Sequence, residues 1–414
     1  MTTYTRATGR LLTAAALLLG VGCTDFLTVD NPNVIDINAV DPVKDAATLA
    51  NSAQQNYSAA LGWLIMYSSW YDGESIVAET FPTRNEFGRR DVSESNGSLS
   101  TDVWATLSLA AASTKIVLDL TLPNPTTNLN YARSSLWRGY SFVLMAENFC
   151  DGTVSNGPKL NTAAMLDSAV TNLTKAISVG NAEGTTTGKA LANAALVGRA
   201  RAQLQAGRKS QAAADAAAVP AGFVFNFGYV DDAANRNRLA NRMWQFTLDR
   251  GSIGVSEAFR VTDPRVPFKA PGQHTLSPQD ASTGAFYIQN KFPAFNSPIR
   301  VASKLEADYI AAEAGDIAAQ TALIAARRAA NSQPAYSGPT DAASILSELL
   351  WQKSLDFYLE GQRMGDFRRN PTAVRALPVP GAAYFKPGFP SIGNGTCFPI
   401  PLTEKDNNPN LRGT

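Results

Sequence analysis

LEGQRMGDFRR, residues 359–369, is the densest cluster of charged residues in this chain of 414 residues. A spacing of three places Glu360 beside Arg363, and Arg363 beside Asp366, on one face of a helix. Two interpretations are open: a clamp for an anion or carboxylate, or ion pairs that fix the helix in the fold. The pattern is that of a packed helix, which favours the structural interpretation. The predicted network consists of Glu360, Arg363, Asp366 and Arg368.

Helical spacing of apolar residues continues through much of the chain before this segment. The predicted helices span residues 45–64, 102–120, 131–149, 164–179, 188–206, 210–218, 304–313, 317–331 and 342–360. Helices joined as antiparallel pairs, with Ala and Gly at close crossings, are typical of tetratricopeptide-like folds, although no clean 34-residue repeat is present. The sequence therefore predicts a mainly α fold with little β structure.

Two long tracts, 68–101 and 220–300, lack a clear period and are predicted to be irregular loops. The helical scaffold is expected at about 40–219 and 300–370, followed by a C-terminal tail, 371–414. Long loops without secondary structure inside a compact protein are usually functional. A helical scaffold that carries two such tracts favours binding over catalysis.

The N-terminal residues 1–22 have the pattern of a signal peptide, with Arg6 and Arg10 before an apolar run and no acidic residue. The run is shorter than the roughly 20 residues that span a bilayer. Cys23 follows Gly22, which resembles the lipobox of bacterial lipoproteins, although Gly20 stands where that pattern usually has Leu. We therefore predict a mature chain 23–414, folded as a single domain and anchored by acyl chains such as palmitate on Cys23. The alternative is an ordinary signal with a free cysteine.

Cys150 and Cys397 are the two cysteines that remain once Cys23 carries lipid. Outside the cytoplasm, a lone pair of thiols tends to form a disulfide. We predict a Cys150–Cys397 disulfide that holds the tail against the end of a helix. Two separate buried thiols remain the alternative.

The charge balance and the scarcity of catalytic residue types exclude several functions. Lys and Arg number 36 against 35 Asp and Glu, so the chain lacks the basic surface of a nucleic-acid-binding protein. The single histidine, His274, has no second ligand or base near it in sequence, and no metal site, cofactor or catalytic residue is predicted. Glu306 and Glu313 lie about 10.5 Å apart along one helix, so they cannot face each other across a substrate. Ion pairs with Arg300, Arg327 or Arg328 are expected instead.

Aromatic and polar residues in the two tracts provide candidate ligand contacts. Sugars offer C–H faces that stack on aromatic rings and hydroxyl groups that pair with polar side chains. Trp63 and Tyr67 are interpreted as core residues, whereas Trp70 and Tyr71 adjoin a polar loop. The candidate ligand-binding residues are Trp70, Tyr71, Asp72, Glu74, Arg84, Asn85, Trp244 and Tyr287.

Four segments and the tail together resemble the SusD/RagB family of outer-membrane nutrient-binding lipoproteins. They are CTDFL with NPN (23–33), LWRGY through ENFCDG (136–152), LEADYIAAEA (305–314), LEGQRMGDFRR (359–369), and FPIP with NPNL (398–411). One departure is Trp351-Gln352-Lys353, where the family usually has an acidic-basic-basic run. The resemblance implies a tetratricopeptide-like α/α superhelix that acts as a lid over a SusC-like TonB-dependent transporter barrel and receives glycans or peptides at the cell surface.

The leading functional hypothesis is thus a non-enzymatic, lipid-anchored protein of the outer membrane, facing outward, that binds a nutrient and delivers it to the transporter. A glycan ligand is expected. The alternatives are a peptide or other polymer as ligand, a helical-repeat adaptor of the envelope, and a tethered hydrolase. Arg84, Arg89 and Arg90 would suit an acidic ligand, and the aromatic residues a neutral sugar.

Overall fold

The protein, described here from a computed structural model, is built mainly from helices, and the structure describes residues 40–412. Residues from Pro42 onward form one compact unit. The predicted signal segment and Cys23 lie outside the described residues. The helices are α1 (Ala46–Tyr71), α2 (Pro82–Gly88), α3 (Ala105–Asp119), α4 (Leu129–Asn148), α5 (Thr162–Glu183), α6 (Thr186–Gln205), α7 (Lys209–Ala218), α8 (Arg236–Leu239), α9 (Arg242–Trp244), α10 (Lys304–Ala314), α11 (Ile317–Ala330), α12 (Ala342–Asp356), α13 (Arg363–Arg369) and α14 (Leu402–Asn407).

The strands are short and occur as two-stranded antiparallel pairs. They are β1 (Ser75–Val77), β2 (Asp151–Gly152), β3 (Leu160–Asn161), β4 (Val224–Phe227), β5 (Ile253–Val255), β6 (Phe268–Lys269), β7 (Ile288–Gln289) and β8 (Ile299–Ser303). β1 pairs with β5, β2 with β3, β4 with β8, and β6 with β7. The predicted mainly α fold with little β structure is confirmed.

Successive helices from α4 to α7 pack against one another. The connection between α5 and α6 is only Gly184-Thr185. Gly184 ends α5 with a φ of 81°, and the Thr185 side chain accepts a hydrogen bond from the backbone of α6. Such a short connection makes the two helices antiparallel neighbours. Close packing depends on small residues: a Cβ on Gly198 of α6 would lie 2.7 Å from the Tyr140 ring of α4.

Both irregular tracts contain more secondary structure than the sequence predicts. In tract 68–101, α1 continues to Tyr71, and β1, α2 and the start of a π-helical segment, Leu99–Trp104, follow. Tract 220–300 is mostly irregular, with β4 to β7 and the short helices α8 and α9 inside it. The α1 helix extends beyond its predicted end because its last turns are buried against the aromatic core.

The predicted pairing of Arg363 with Glu360 and with Asp366 is wrong, because α13 begins only at Arg363 and the Arg363 side chain donates elsewhere. Glu360 lies before the helix and binds Lys291 and Arg300 instead of Arg363. Asp366 binds Lys353 at 2.7 Å and, within the segment, Arg369 at 2.8 Å.

The remaining arginines of this segment also make long-range contacts. Arg363 donates to the backbone oxygens of Asp72 and Arg375, and Arg368 donates to those of Ala146 and Phe149. The segment therefore ties α13 to distant parts of the chain, and its charges serve the fold.

A buried charge triad lies between α4, α6 and α10. Arg201 forms a two-point ion pair with Glu147, with Nε donating to Oε1 at 2.8 Å. Glu306 lies 3.6 Å from Arg201, and neither of its carboxylate oxygens accepts a hydrogen bond from a described residue. Burial raises the pKa of Glu306 to about 7. Glu313 binds Arg369, so neither glutamate has the partners that the sequence predicted.

Candidate functional site

A cavity of about 510 Å³ lies between the end of α1, the residues after β5, and a loop of the C-terminal tail. We call residues 376–392 the tail loop, and this cavity the tail-loop cavity. Its lining consists of Trp70, Gly73, Ser75, Ile76, Val77, Gly88, Ser256, Glu257, Ala258, Ala376, Leu377, Pro378, Ala383, Tyr384, Phe385 and Ile392. Most of these residues are apolar or aromatic, and side chains in the tail loop supply much of one wall.

The tail loop is held against the rest of the fold by buried polar contacts. Arg90 donates to the backbone oxygens of Pro378 at 2.8 Å and Gly395 at 2.7 Å, on the two sides of the loop. The buried Lys386 donates to the Glu79 backbone oxygen at 2.6 Å and pairs with Asp280 at 2.9 Å. The pKa of Lys386 is lowered, chiefly by burial. These contacts fix the wall before any ligand arrives.

The cysteines anchor the other end of the tail. Cys150 and Cys397 are joined by a disulfide, with their Cα atoms 5.2 Å apart. Beside it, Phe398 accepts from the Cys150 backbone N–H at 2.9 Å and donates to the Asn148 oxygen at 2.7 Å. The tail is therefore bound covalently and by backbone hydrogen bonds to the end of α4.

Two aromatic residues in the cavity lining, Phe385 and Trp70, differ sharply in exposure. The Phe385 ring lies 4.7 Å from the Tyr384 ring and 5.7 Å from the Lys386 ammonium, and 43% of the residue remains exposed to solvent. Trp70 is 1% exposed, and its buried Nε1–H has no hydrogen-bond partner among the described residues. A buried donor without a partner is costly. Because this N–H is sealed from solvent, a ligand cannot reach it, and the exposed ring of Phe385 is the aromatic surface available for binding.

Of the sequence-predicted residues, Trp70 lines the cavity and Asn85 supports it. The buried Asn85 side chain donates to the backbone oxygens of Glu79 and Phe81 and accepts from the Tyr384 hydroxyl at 3.0 Å. Asn85 thus orients a residue of the wall, although its own burial keeps it from ligand. Tyr384 and Phe385 were missed by the sequence analysis. The signal was their aromatic pair within a Pro- and Gly-rich part of the tail.

Tyr71, Asp72 and Glu74 are buried, which corrects the expectation that they face a ligand. Tyr71 packs edge-to-face on Phe398. Burial raises the pKa of Asp72 to about 7 and that of Glu74 well above its usual value. Arg363 counteracts this rise in both carboxyl groups, so the three charges form an internal cluster.

Arg84, Trp244 and Tyr287 lie outside the cavity lining. Arg84 is occupied by Glu79, to which Nη1 donates at 2.8 Å and 2.9 Å. Trp244 is half-buried and stacks on Phe295, with ring centroids 3.8 Å apart. The half-buried ring of Tyr287 lies 4.0 Å from the Arg260 guanidinium. The structure therefore does not bring the predicted residues together into one site.

The described part of the chain offers little of the geometry that hydrolysis needs. Glu306 is buried in the triad and Glu313 is bound to Arg369. His274 contacts the Phe286 backbone oxygen at 3.0 Å. Among residues 40–412 no group of three or more His, Cys, Asp or Glu side chains is placed to hold a metal ion. None of the helices described is long and apolar enough to cross a bilayer.

Solved structures with the same fold cover nearly the whole chain. A SusD superfamily protein from Bacteroides thetaiotaomicron matches 90% of this chain and 99% of its own, with a TM-score of 0.65 and 16% identity. Surface glycan-binding protein A from Bacteroides fluxus matches 89% and 97%, with a TM-score of 0.63 and 15% identity. A laminarin-binding SusD-like protein matches 87% and 96%, with a TM-score of 0.63 and 16% identity.

These similarities are structural and not visible in the sequence as a whole. No protein-family model matches the chain, and no curated protein does so either. The chain nevertheless has the SusD-like fold, and the recognition of that fold from segment 359–369 and its companions is confirmed.

Proposed function

We propose that this chain binds a carbohydrate in the tail-loop cavity, without catalysis. The observation that carries the proposal is the exposed aromatic ring of Phe385 in the lining of this mostly apolar cavity. A sugar ring offers the matching C–H face and hydroxyl acceptors. Glu257, which is exposed at the rim, can accept from a further hydroxyl.

The fold supports the same proposal. Two of the structural neighbours are named for glycan or laminarin binding. Their ligands need not be the ligand of this chain, because its identity to them is low. The cavity volume of about 510 Å³ lies within the range of small-molecule pockets, which favours one or a few sugar units over a long polymer surface.

Two matched substitutions test this site on the signal-free protein, after a glycan screen has identified a binder. Phe385→Ala removes the exposed ring, and Glu257→Ala removes the acceptor at the rim. A stacking contact or a hydrogen bond each contributes about 1 kcal/mol, so each variant is expected to bind roughly three- to tenfold more weakly. Phe81→Ala is the control, because Phe81 is 55% exposed and does not line the cavity.

Unchanged affinity in both cavity variants would place the site elsewhere. A screen in which peptides bind and glycans do not would favour the peptide alternative. Turnover of a bound glycan at an enzymatic rate would contradict the non-catalytic part of the proposal.

The cellular setting of the proposal rests on the N-terminal sequence. Cys23 would carry the lipid that anchors the protein to the outer membrane, facing outward, and the bound sugar would pass to a SusC-like TonB-dependent barrel. A labelled fatty acid should be incorporated into the wild-type precursor and not into the Cys23→Ser variant. Co-purification of the barrel with the anchored protein tests the partner, and its absence under conditions that preserve both would contradict delivery.

A further inference from the structure

A second cleft has a volume of about 680 Å³ and shares no lining residue with the tail-loop cavity. Its lining is rich in charged side chains, whereas that of the tail-loop cavity is mostly apolar. We call it the charged cleft. Its lining includes four cationic side chains and two carboxylates. These are Arg265, Lys291, Arg300, Arg327, Asp356 and Glu360.

The carboxylates are the least exposed part of this lining. Glu360 is bound by Lys291 at 2.7 Å and by Arg300 at 2.9 Å, and its side chain is 5% exposed. Asp356 accepts from Arg327 at 2.7 Å and 2.8 Å and from the Tyr309 hydroxyl, and lies 3.3 Å from Arg265; its side chain is 3% exposed. By contrast, the Arg300 and Arg327 side chains remain 21% and 22% exposed. The cations therefore face the cleft and the anions lie behind them.

The charges in this network do not cancel. Arg265 also binds Asp263 at 2.9 Å, so the set of residues joined by direct ion pairs contains four cations and three carboxylates. One positive charge is left over. An excess of one charge suits a ligand group with a single negative charge, such as a carboxylate.

Hydrogen-bond donors remain available on the exposed cations. Arg300 uses Nε and Nη2 on Glu360 and on the Asp356 backbone oxygen. Arg327 uses Nε and Nη2 on Asp356. The Nη1 group of each arginine has no hydrogen bond to any described residue and is not sealed from solvent. Two guanidinium groups held in place by buried carboxylates are preorganised for an oxyanion.

The walls of the cleft are stiff. Four prolines, Pro264, Pro267, Pro293 and Pro298, line it. Their fixed φ angles limit the conformations of the loops that carry them. A preformed wall reduces the ordering cost of binding, and the pyrrolidine rings offer apolar surface for C–H groups.

We propose that the charged cleft binds the carboxylate of an acidic sugar, a uronate unit, through Arg300 and Arg327. The choice of a sugar acid over an acidic peptide rests on the proposed carbohydrate-binding function. The charged cleft would then be a second sugar-binding site, selective for acidic glycans, in addition to the tail-loop cavity.

The test compares a uronate trisaccharide with its methyl ester, in which each carboxyl group carries a methyl group in place of the negative charge. Titration calorimetry with the folded, disulfide-intact protein is expected to show the acid binding at least tenfold more tightly than the ester. Added salt should narrow that difference, because part of it is electrostatic. Arg327→Gln should reduce the affinity for the acid to that for the ester. Arg327→Lys keeps the positive charge but loses the two-point hydrogen bonding of the guanidinium group, so its affinity for the acid should be intermediate.

Arg199→Gln is the matched control. Arg199 has a 21% exposed side chain and a two-point ion pair with Asp215, as Arg327 has with Asp356, but it does not line the charged cleft. It should leave the preference for the acid unchanged. If Arg327→Gln fails to fold, the proposal is still tested by Arg300→Gln and by the comparison of acid with ester in the wild type.

Equal affinities for acid and ester would overturn the proposal, as would a loss in Arg199→Gln equal to that in Arg327→Gln. If Phe385→Ala abolishes binding of the acid and Arg327→Gln does not, the acid occupies the tail-loop cavity. The charged-cleft proposal then fails while the proposed function stands. Tighter binding of an acidic tripeptide than of the uronate would also contradict it.

Discussion

Glu306→Gln is expected to stabilise this protein, although it removes a charged partner of Arg201. The substitution keeps the shape of the side chain and deletes a buried negative charge that no hydrogen bond compensates. Arg201 keeps its two-point ion pair with Glu147. The triad, with two negative charges and one positive charge, becomes a neutral pair. Removal of an uncompensated buried charge lowers the free energy of the native state.

The magnitude follows from the pKa of Glu306, which burial raises from 4.5 to about 7. This rise corresponds to about 3 kcal/mol. Below pH 4.5 the carboxyl group is protonated in both states and its contribution vanishes. Between pH 4.5 and 7 the native state holds a proton that the unfolded state has lost, so the stability falls as the pH rises. Above pH 7 the full cost of about 3 kcal/mol is present.

Urea unfolding of wild type and variant, at pH 5 and at pH 8, measures this difference directly. The free energy of unfolding of the variant should exceed that of the wild type by about 3 kcal/mol at pH 8 and by much less at pH 5. Glu147→Gln is the control within the triad, and it should destabilise at both pH values because it removes the closer ion pair of Arg201. Destabilisation by Glu306→Gln at pH 8, or a gain that does not change with pH, would refute the reasoning.

Two further predictions concern the scaffold. Replacing Cys150 and Cys397 together by Ser should lower the free energy of unfolding by about 2–5 kcal/mol, because the disulfide closes a loop of 247 residues; an unchanged urea midpoint would contradict this. Gly198→Ala should destabilise by about 1–3 kcal/mol, because its Cβ would lie 2.7 Å from the Tyr140 ring. Gly97→Ala, which meets nothing within 4 Å, is the control in thermal unfolding, and equal shifts in both variants would exclude the steric explanation.

The helices were predictable because their signals are local. Thr185 caps α6 and Gly184 ends α5 through contacts a few residues away, and these residue types are typical of such positions. Segment 359–369 could be recognised as a family pattern. The ion-pair partners of its charged residues could not be predicted from their spacing, because Leu359 and Gly361 adopt positive φ angles and α13 begins only after them.

The candidate site could not be assembled from the sequence, because it depends on contacts across about 300 residues. Tyr384 meets Asn85, and Arg90 meets Pro378 and Gly395. No periodic pattern encodes such pairings. The same limit explains the wrong expectation that Tyr71, Asp72 and Glu74 contact ligand. Their polar sequence is typical of an exposed loop, but in the structure these residues are buried.

The position of the tail loop near the C-terminal end of the described residues affects when the tail-loop cavity can form during synthesis. Residues 376–392 complete a wall of the tail-loop cavity, whereas Trp70 on the opposite side is made early in translation. A nascent chain that has already folded α1 to α12 still lacks that wall, so the cavity can form only after residues 376–392 have been made. A premature stop after α13 would leave most of the helical scaffold encoded and remove one wall of the tail-loop cavity.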